Sequence, residues 1–200
     1  MDDPGSCSKN ISLIGFMGAG KSSVARKLRE RLDTYVIDTD EEIEESQNMT
    51  VGEIFASQGE TAFRKMEREL LGQLHQESML DDEPMVISCG GGMLLDPDNR
   101  RMLKEMSQVI YLRADAQTIL KRLQKGTQAI AELEDEDDPD VRRYVVRPLL
   151  GDEITYEKVC ALMEEREAFY LEAADQIIDV DGKTTDMIVG EILDAGYLLS

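Results

Sequence analysis

Gly15-Phe-Met-Gly-Ala-Gly-Lys-Ser22 decides how this chain is read. The stretch follows the apolar run Ile11-Ser-Leu-Ile14 and opens a pattern in which Val24, Leu28 and Leu32 recur every four residues. The apolar run reads as a strand and the four-residue spacing as a helix. A glycine loop between the two is the setting in which G-x-x-x-x-G-K-[ST] cradles phosphate. Glycines let the backbone turn tightly and aim its N–H groups inward, and the helix N-terminus adds a favourable potential for anions. In such a loop Lys21 would reach the β- and γ-phosphates, and the Ser22 hydroxyl would ligate Mg²⁺. The motif implies a nucleotide and leaves the second substrate open.

Downstream, strands and helices alternate. Tyr35–Asp38 is a second strand running into Asp38-Thr-Asp40, and Pro84–Ser88 a third running into Gly90-Gly-Gly92. Val109–Leu112 and Gln176–Val180 are the fourth and fifth. Between strands two and three, helices are expected from Glu41 to about Ser46 and from Thr50 to about Ser57. A longer helix after Gln58-Gly59 carries Phe63, Met66, Leu70 and Leu74 on one face. Asp96-Pro97 starts a helix, Asp115 caps one reaching about Leu123, and Thr184 or Thr185 caps the last, which ends near Ala195. A long helix spans about Thr155 to Ala173, and Gln124 to Val146 is the least regular region. This alternation predicts an α/β fold with a parallel sheet covered on both faces, in one domain after a disordered tail over residues 1–9. Ligands of such sheets sit beyond the carboxyl ends of the strands. One crevice should therefore gather the P-loop, Asp38, Asp40 and Gly90 to Gly92.

Composition narrows the partners. The net charge is −20, with 42 acidic against 22 basic residues, which disfavours nucleic acid and anionic membranes. The same balance makes any convergent set of arginines and lysines conspicuous. Cys7, Cys89 and Cys160 show neither metal-ligand spacing nor a disulfide framework, which fits a reducing, cytoplasmic setting. No apolar run approaches the length of a membrane span.

Asp38 and Asp40 stand two apart at a strand end. One carboxylate near a P-loop Mg²⁺ can orient the metal's waters, and a second can accept the proton of an attacking hydroxyl. The competing reading is a strand-end turn or helix cap. Three successive glycines cost backbone entropy and offer nothing to pack, so Gly90 to Gly92 suit close approach of a ligand, or a flexible turn. Arg166 falls in phase with Val159, Leu162, Met163, Phe169, Tyr170 and Ala173 on an inner helix face. It must snorkel past the core or pair with an anion, either a protein carboxylate or a ligand carboxylate. Arg64, beside Phe63, admits the same readings. His75, late on a polar helix, reads as solvated, and Cys89 as a small apolar filler.

In combination these residues resemble the shikimate kinase family from about Asn10 to the C-terminus. The family's loop matches Gly15–Ser22, and its D-[ST]-D matches Asp38-Thr-Asp40. G-E-x-x-F-R matches Gly59–Arg64, the glycine triplet Gly90–Gly92, R-P-L-L Arg147–Leu150 and R-x-x-x-Y Arg166–Tyr170. The resemblance implies a three-layer α/β/α P-loop kinase fold with a five-stranded parallel sheet. It adds a helical substrate-binding segment near residues 40–75 and a lid near 123–152. Gly18, Ala19, Gly20, Lys21, Ser22 and Ser23 would hold ATP phosphates, with Arg122 near the adenine and Arg147 closing from the lid. Ser22 and Asp38 would hold Mg²⁺. Asp40 would bind the shikimate hydroxyls and act as base, Arg64 and Arg166 would grip its carboxylate, and Gly90, Gly91 and Gly92 would line its site. Lys21, Asp40 and Arg147 would be the catalytic residues of a monomer that phosphorylates shikimate at the expense of ATP.

One departure from the family pattern is a 24-residue interval between Arg122 and Arg147 in which seven of the nine residues Glu132–Asp140 are acidic. Such a run reads as a solvated excursion, or as a partner for Arg142 or Arg143 that regulates closure. Two other functions compete: a different small-molecule P-loop kinase, of gluconate or nucleoside-monophosphate type, and a non-catalytic regulatory relative.

Overall fold

The computed structural model describes residues 10–32, 34–80, 83–131 and 154–196. The tail 1–9, the acidic run 132–140, Arg142, Arg143 and Arg147 lie outside the described residues. Five strands form one parallel sheet: β1 (Ile11–Ile14), β2 (Tyr35–Asp38), β3 (Met85–Ser88), β4 (Gln108–Arg113) and β5 (Gln176–Asp179), in the order β2-β3-β1-β4-β5. The central strands β1 and β3 are buried along their whole length, as continuous apolar runs in a doubly covered sheet should be. The edge strand β2 is not, and its Tyr35 is 63% exposed.

Eight α-helices are described: α1 (Lys21–Leu32), α2 (Thr39–Gln47), α3 (Val51–Gln58), α4 (Glu60–Leu80), α5 (Pro97–Met106), α6 (Ala116–Ala131), α7 (Tyr156–Ala173) and α8 (Thr185–Asp194). Their apolar faces make two cores. On one side Ile11, Leu13, Ile110 and Leu112 meet Val24 and Leu28 of α1, Ile119 and Leu123 of α6, and Ile188 and Ile192 of α8. On the other, Ile14, Ile87 and Tyr111 meet Leu71 and Leu74 of α4, Leu103 of α5 and Tyr170 of α7. The three layers expected from the alternating pattern are therefore present. A third, smaller cluster of Ile43, Ile54 and Phe63 ties α2 and α3 to α4 as a helical annex beside the sheet.

Three local features differ from the sequence reading. Helix α2 starts at Thr39 rather than Glu41, because the Asp38 carboxylate caps it by accepting from the Asp40 N–H at 3.2 Å. Strand thus passes to helix with no loop between. Helix α6 continues past Leu123 to Ala131, since glutamine, lysine and alanine propagate a helix and a single glycine costs only about 1 kcal/mol. The inner face of α4 is Phe63, Glu67, Leu71 and Leu74, with Met66 and Leu70 half-buried beside it. A glutamate sits where hydrophobic phase alone places an apolar side chain.

Candidate active site

The P-loop leaves β1 and turns into α1 with Gly20 at φ +103°, a backbone state that side-chain-bearing residues rarely adopt. Lys21 folds back over the loop, its Nζ donating to the carbonyls of Gly15 at 2.9 Å and Phe16 at 3.1 Å. Burial lowers its pKa, while Asp40 and Asp38 oppose that shift. Arg122, from α6 across the cleft, donates to the carbonyls of Gly18 at 3.1 Å and Ala19 at 2.9 Å. A cavity of about 510 Å³ opens here, lined by Gly18 to Ser23, Asp38, Asp40, Gly91 and Arg122. Lys183, Thr185 and Ile188, from the segment after β5 and the start of α8, close its far wall.

The carboxylates divide the work. Ser22 Oγ donates to Asp38 Oδ2 at 2.7 Å, so P-loop hydroxyl and strand-end carboxylate already share one locus. Asp38 caps α2 through Oδ1 and accepts from Ser22 through Oδ2, so the cap leaves its second oxygen turned to the P-loop. Asp40, the second residue of α2, lies against Gly90 of the glycine triplet. Burial first, and then the charge of Asp38, raise its pKa to about 6, with Lys21 pulling it down.

The glycine triplet explains itself by what crowds it. A Cβ on Gly92 would overlap the Arg64 guanidinium, and one on Gly90 would overlap Asp40 Oδ1. Side chains of this chain, not a flexible turn, demand bare backbone there. Arg166 is 2% exposed and donates from Nη1 to the Gly91 carbonyl at 3.1 Å, its guanidinium lying 5.8 Å from the centre of the Phe16 ring. Its Nε is buried with no hydrogen-bond partner among the described residues. Arg64 is paired with protein carboxylates, at 2.6 Å with Glu67 and 2.8 Å with Glu60. The two arginines thus reach one glycine peptide from α4 and α7.

Glu67 is the site residue that hydrophobic phase missed. It is 1% exposed, and one carboxylate oxygen binds Arg64 while the other has no partner among the described residues. Burial raises its pKa to about 7 against the pull of Arg64. The only signal was its position three residues after Arg64 and four after Phe63, which a chain with 42 acidic residues hides well. Tyr170 is the second omission: its hydroxyl donates to the same Gly91 carbonyl as Arg166. Thr39 is the third, accepting the Gly90 N–H at 2.8 Å. His75 stands outside the cleft and is less solvated than expected, its side chain 17% exposed and 3.5 Å from Glu105. Cys89 is buried, its thiol pKa raised by desolvation, which fits a filler and not a nucleophile.

Ser22 and Asp38 offer hard oxygen donors, one neutral and one anionic. That set suits Mg²⁺, which keeps several of its waters and takes few protein ligands. Among the described residues no cluster of three or more His, Cys, Asp or Glu could hold a metal by itself, so a nucleotide would have to complete the shell.

A phosphate loop, a strand-end carboxylate pair and two arginines on a glycine triplet match one family model, described as shikimate kinase, over residues 17–196. This chain belongs to the shikimate kinase family. Shikimate kinase of Geobacter metallireducens is 37% identical over 190 residues, covering 95% of this chain and 92% of that protein. That of Pelotomaculum thermopropionicum is 39% identical over 185 residues, covering 92% and 94%. Among solved structures, the shikimate kinase of Acinetobacter baumannii in complex with shikimate superposes with a TM-score of 0.76 at 31% identity, covering 93% of this chain and 91% of that one. The fold is accordingly the α/β P-loop kinase fold of that family. No helix of the described residues is long and apolar enough to cross a membrane.

Proposed function

We propose that this shikimate kinase transfers the γ-phosphate of ATP to the 3-hydroxyl of shikimate, giving 3-phosphoshikimate and ADP, through the residues now described. The observation that carries the assignment is the convergence of Asp40, Arg64 and Arg166 on Gly90 to Gly92, with Asp40 and Gly91 lining the same cavity as the P-loop lysine. A triplet flanked by two guanidinium groups suits a small carboxylate-bearing polyol better than a nucleoside monophosphate, and the family match favours shikimate over gluconate. The backbone supplies hydroxyl contacts, and the arginines supply charge for one carboxylate.

Gly18 to Ser23 hold the phosphates by backbone N–H groups and the Lys21 ammonium, which exchanges its loop carbonyls for phosphate oxygens. Arg122 and the wall of Lys183, Thr185 and Ile188 bound the base end of the nucleotide site. Asp40 accepts the proton of the attacking hydroxyl, and a carboxylate with pKa about 6 is ionised at neutral pH yet basic enough to act. Arg64 and Arg166 bind the shikimate carboxylate, with Glu67 and Glu60 holding Arg64 in place. Ser22 and Asp38 would hold Mg²⁺, which when bound neutralises charge developing on the phosphates. Arg147, in the lid proposed over residues 123–152, completes the charge on the phosphates. Residues of about 40–75, within α2 to α4, form the acceptor-binding segment. The enzyme works as a monomer in the cytoplasm, in keeping with the free Cys89 and Cys160.

The test is coupled ADP release across a panel of shikimate, quinate, gluconate and nucleoside monophosphates. Turnover with shikimate far above the others supports the proposal. Turnover with another acceptor, or with none while ATP still binds, rejects it.

A further inference from the structure

We infer that Tyr170 is a positioning residue for the acceptor: its hydroxyl turns the Gly91–Gly92 peptide so that the Gly92 N–H faces the shikimate site. The inference rests on the shikimate reading above and extends it to a residue outside the contact set.

The backbone groups of the triplet can be counted one by one. The Gly90 N–H goes to Thr39 Oγ1, and the Gly90 carbonyl accepts from the Met93 N–H at 3.1 Å. The Gly92 carbonyl accepts from the Leu95 N–H at 3.1 Å. The Gly91 carbonyl accepts from Arg166 Nη1 and from the Tyr170 hydroxyl. The N–H groups of Gly91 and Gly92 have no partner among the described residues, although Gly92 is buried. Buried backbone donors are nearly always paired, so the orphan at Gly92, beside two arginines, is a donor kept for a ligand.

A trans peptide sets its N–H opposite its C=O. Holding the Gly91 oxygen against α7 therefore aims the Gly92 N–H away from α7. Arg166 has a second task, because its guanidinium, with Nε unpaired among the described residues, would also bind the ligand carboxylate. Tyr170 has no such second task. It is 2% exposed, and its ring packs on Tyr111 with centroids 5.1 Å apart, so its hydroxyl cannot swing. Arg166 can change partners while Tyr170 keeps the peptide in place.

The competing explanation is that a buried tyrosine merely needs an acceptor. Tyr111 provides the control, being equally buried, with its hydroxyl donating to Glu167 at 2.5 Å, away from the triplet. Steady-state kinetics of wild type, Tyr170→Phe and Tyr111→Phe, with melting temperatures, separate the cases. Tyr170→Phe should raise KM for shikimate about tenfold while KM for ATP and kcat stay within about threefold. Tyr111→Phe should lower the melting temperature comparably and leave both KM values near wild type. An unchanged shikimate KM in Tyr170→Phe, an equal rise for both substrates, or the same rise in Tyr111→Phe would overturn the inference. An NMR titration of wild-type protein labelled with ¹⁵N-glycine needs no variant: shikimate should shift the Gly92 amide, and an unresponsive amide would overturn it too. Wild-type protein that does not turn over shikimate would instead defeat the reading on which the inference rests.

Discussion

The guanidinium of Arg64 occupies the space that a Cβ on Gly92 would fill. The relationship joins two motifs 28 residues apart, and on the proposed reading it makes the third glycine of the triplet a requirement of the substrate site. Because Arg64 is a long side chain, it can be pushed aside without unfolding its surroundings. Gly92→Ala should therefore fold, yet lose one charge-assisted contact of roughly 1.5–3 kcal/mol, raising shikimate KM about 10- to 100-fold. ATP binding, followed by nucleotide fluorescence, should be unchanged. A shikimate KM within twofold of wild type, to take about that as the resolution of the assay, would break the link.

With Asp40 as the proposed base, its protonation should set the acid limb of the pH profile. Its pKa of about 6, raised by burial and by Asp38, means the base form disappears as pH falls through that value. The rate constant kcat/KM for shikimate should drop tenfold per pH unit below about 6. Asp40→Asn should remove the limb and at least about a hundredfold of the rate. Persistence of the limb in Asp40→Asn would assign it to another group.

Arg64 also keeps a buried carboxylate tolerable. The folded-state pKa of Glu67, about 7, lies above its ordinary 4.5, so its neutral form favours folding at low pH. That contribution is complete below about 4.5 and is lost as pH rises through about 7. Arg64→Ala removes the opposing charge and raises this pKa further. The variant should then lose on the order of 1 kcal/mol more stability at pH 8 than at pH 6, read by denaturant unfolding. Adding Glu67→Gln should abolish the pH dependence. A destabilisation equal at both pH values would show that Glu67 does not carry it.

Lys21 is held by two loop carbonyls and lies in the field of two carboxylates. Lys21→Ala should leave the secondary structure intact by circular dichroism and cut turnover at least about a hundredfold, since its charge acts on the phosphates. Appreciable activity in this variant would remove the lysine from the mechanism.

What the residues alone revealed follows from how local each signal is. The P-loop was legible because its strand, glycines, lysine and helix are contiguous. Asp38 and Asp40 were legible as a pair, but not that one carboxylate both caps α2 at Thr39 and accepts from Ser22 at 2.7 Å, because the second contact joins residues 16 apart. Five strands and their parallel arrangement followed from apolar runs, whose central members are buried throughout. Glu67 escaped because periodicity cannot tell a glutamate that faces inward toward an arginine from one of many that face water. Tyr170 was read as core, and its ring is core. Only its hydroxyl, bonded to a carbonyl 79 residues away in sequence, belongs to the site. Arg147 and the acidic run 132–140 lie outside the described residues.

The central claim is that this cleft moves a phosphoryl group from ATP to shikimate. ATP radiolabelled at the γ-phosphate, incubated with the protein, Mg²⁺ and shikimate, tests it directly. The account predicts that label appears in 3-phosphoshikimate, and that excess EDTA or Lys21→Ala stops the transfer. Label recovered only as ATP or inorganic phosphate, with shikimate unmodified, would contradict it.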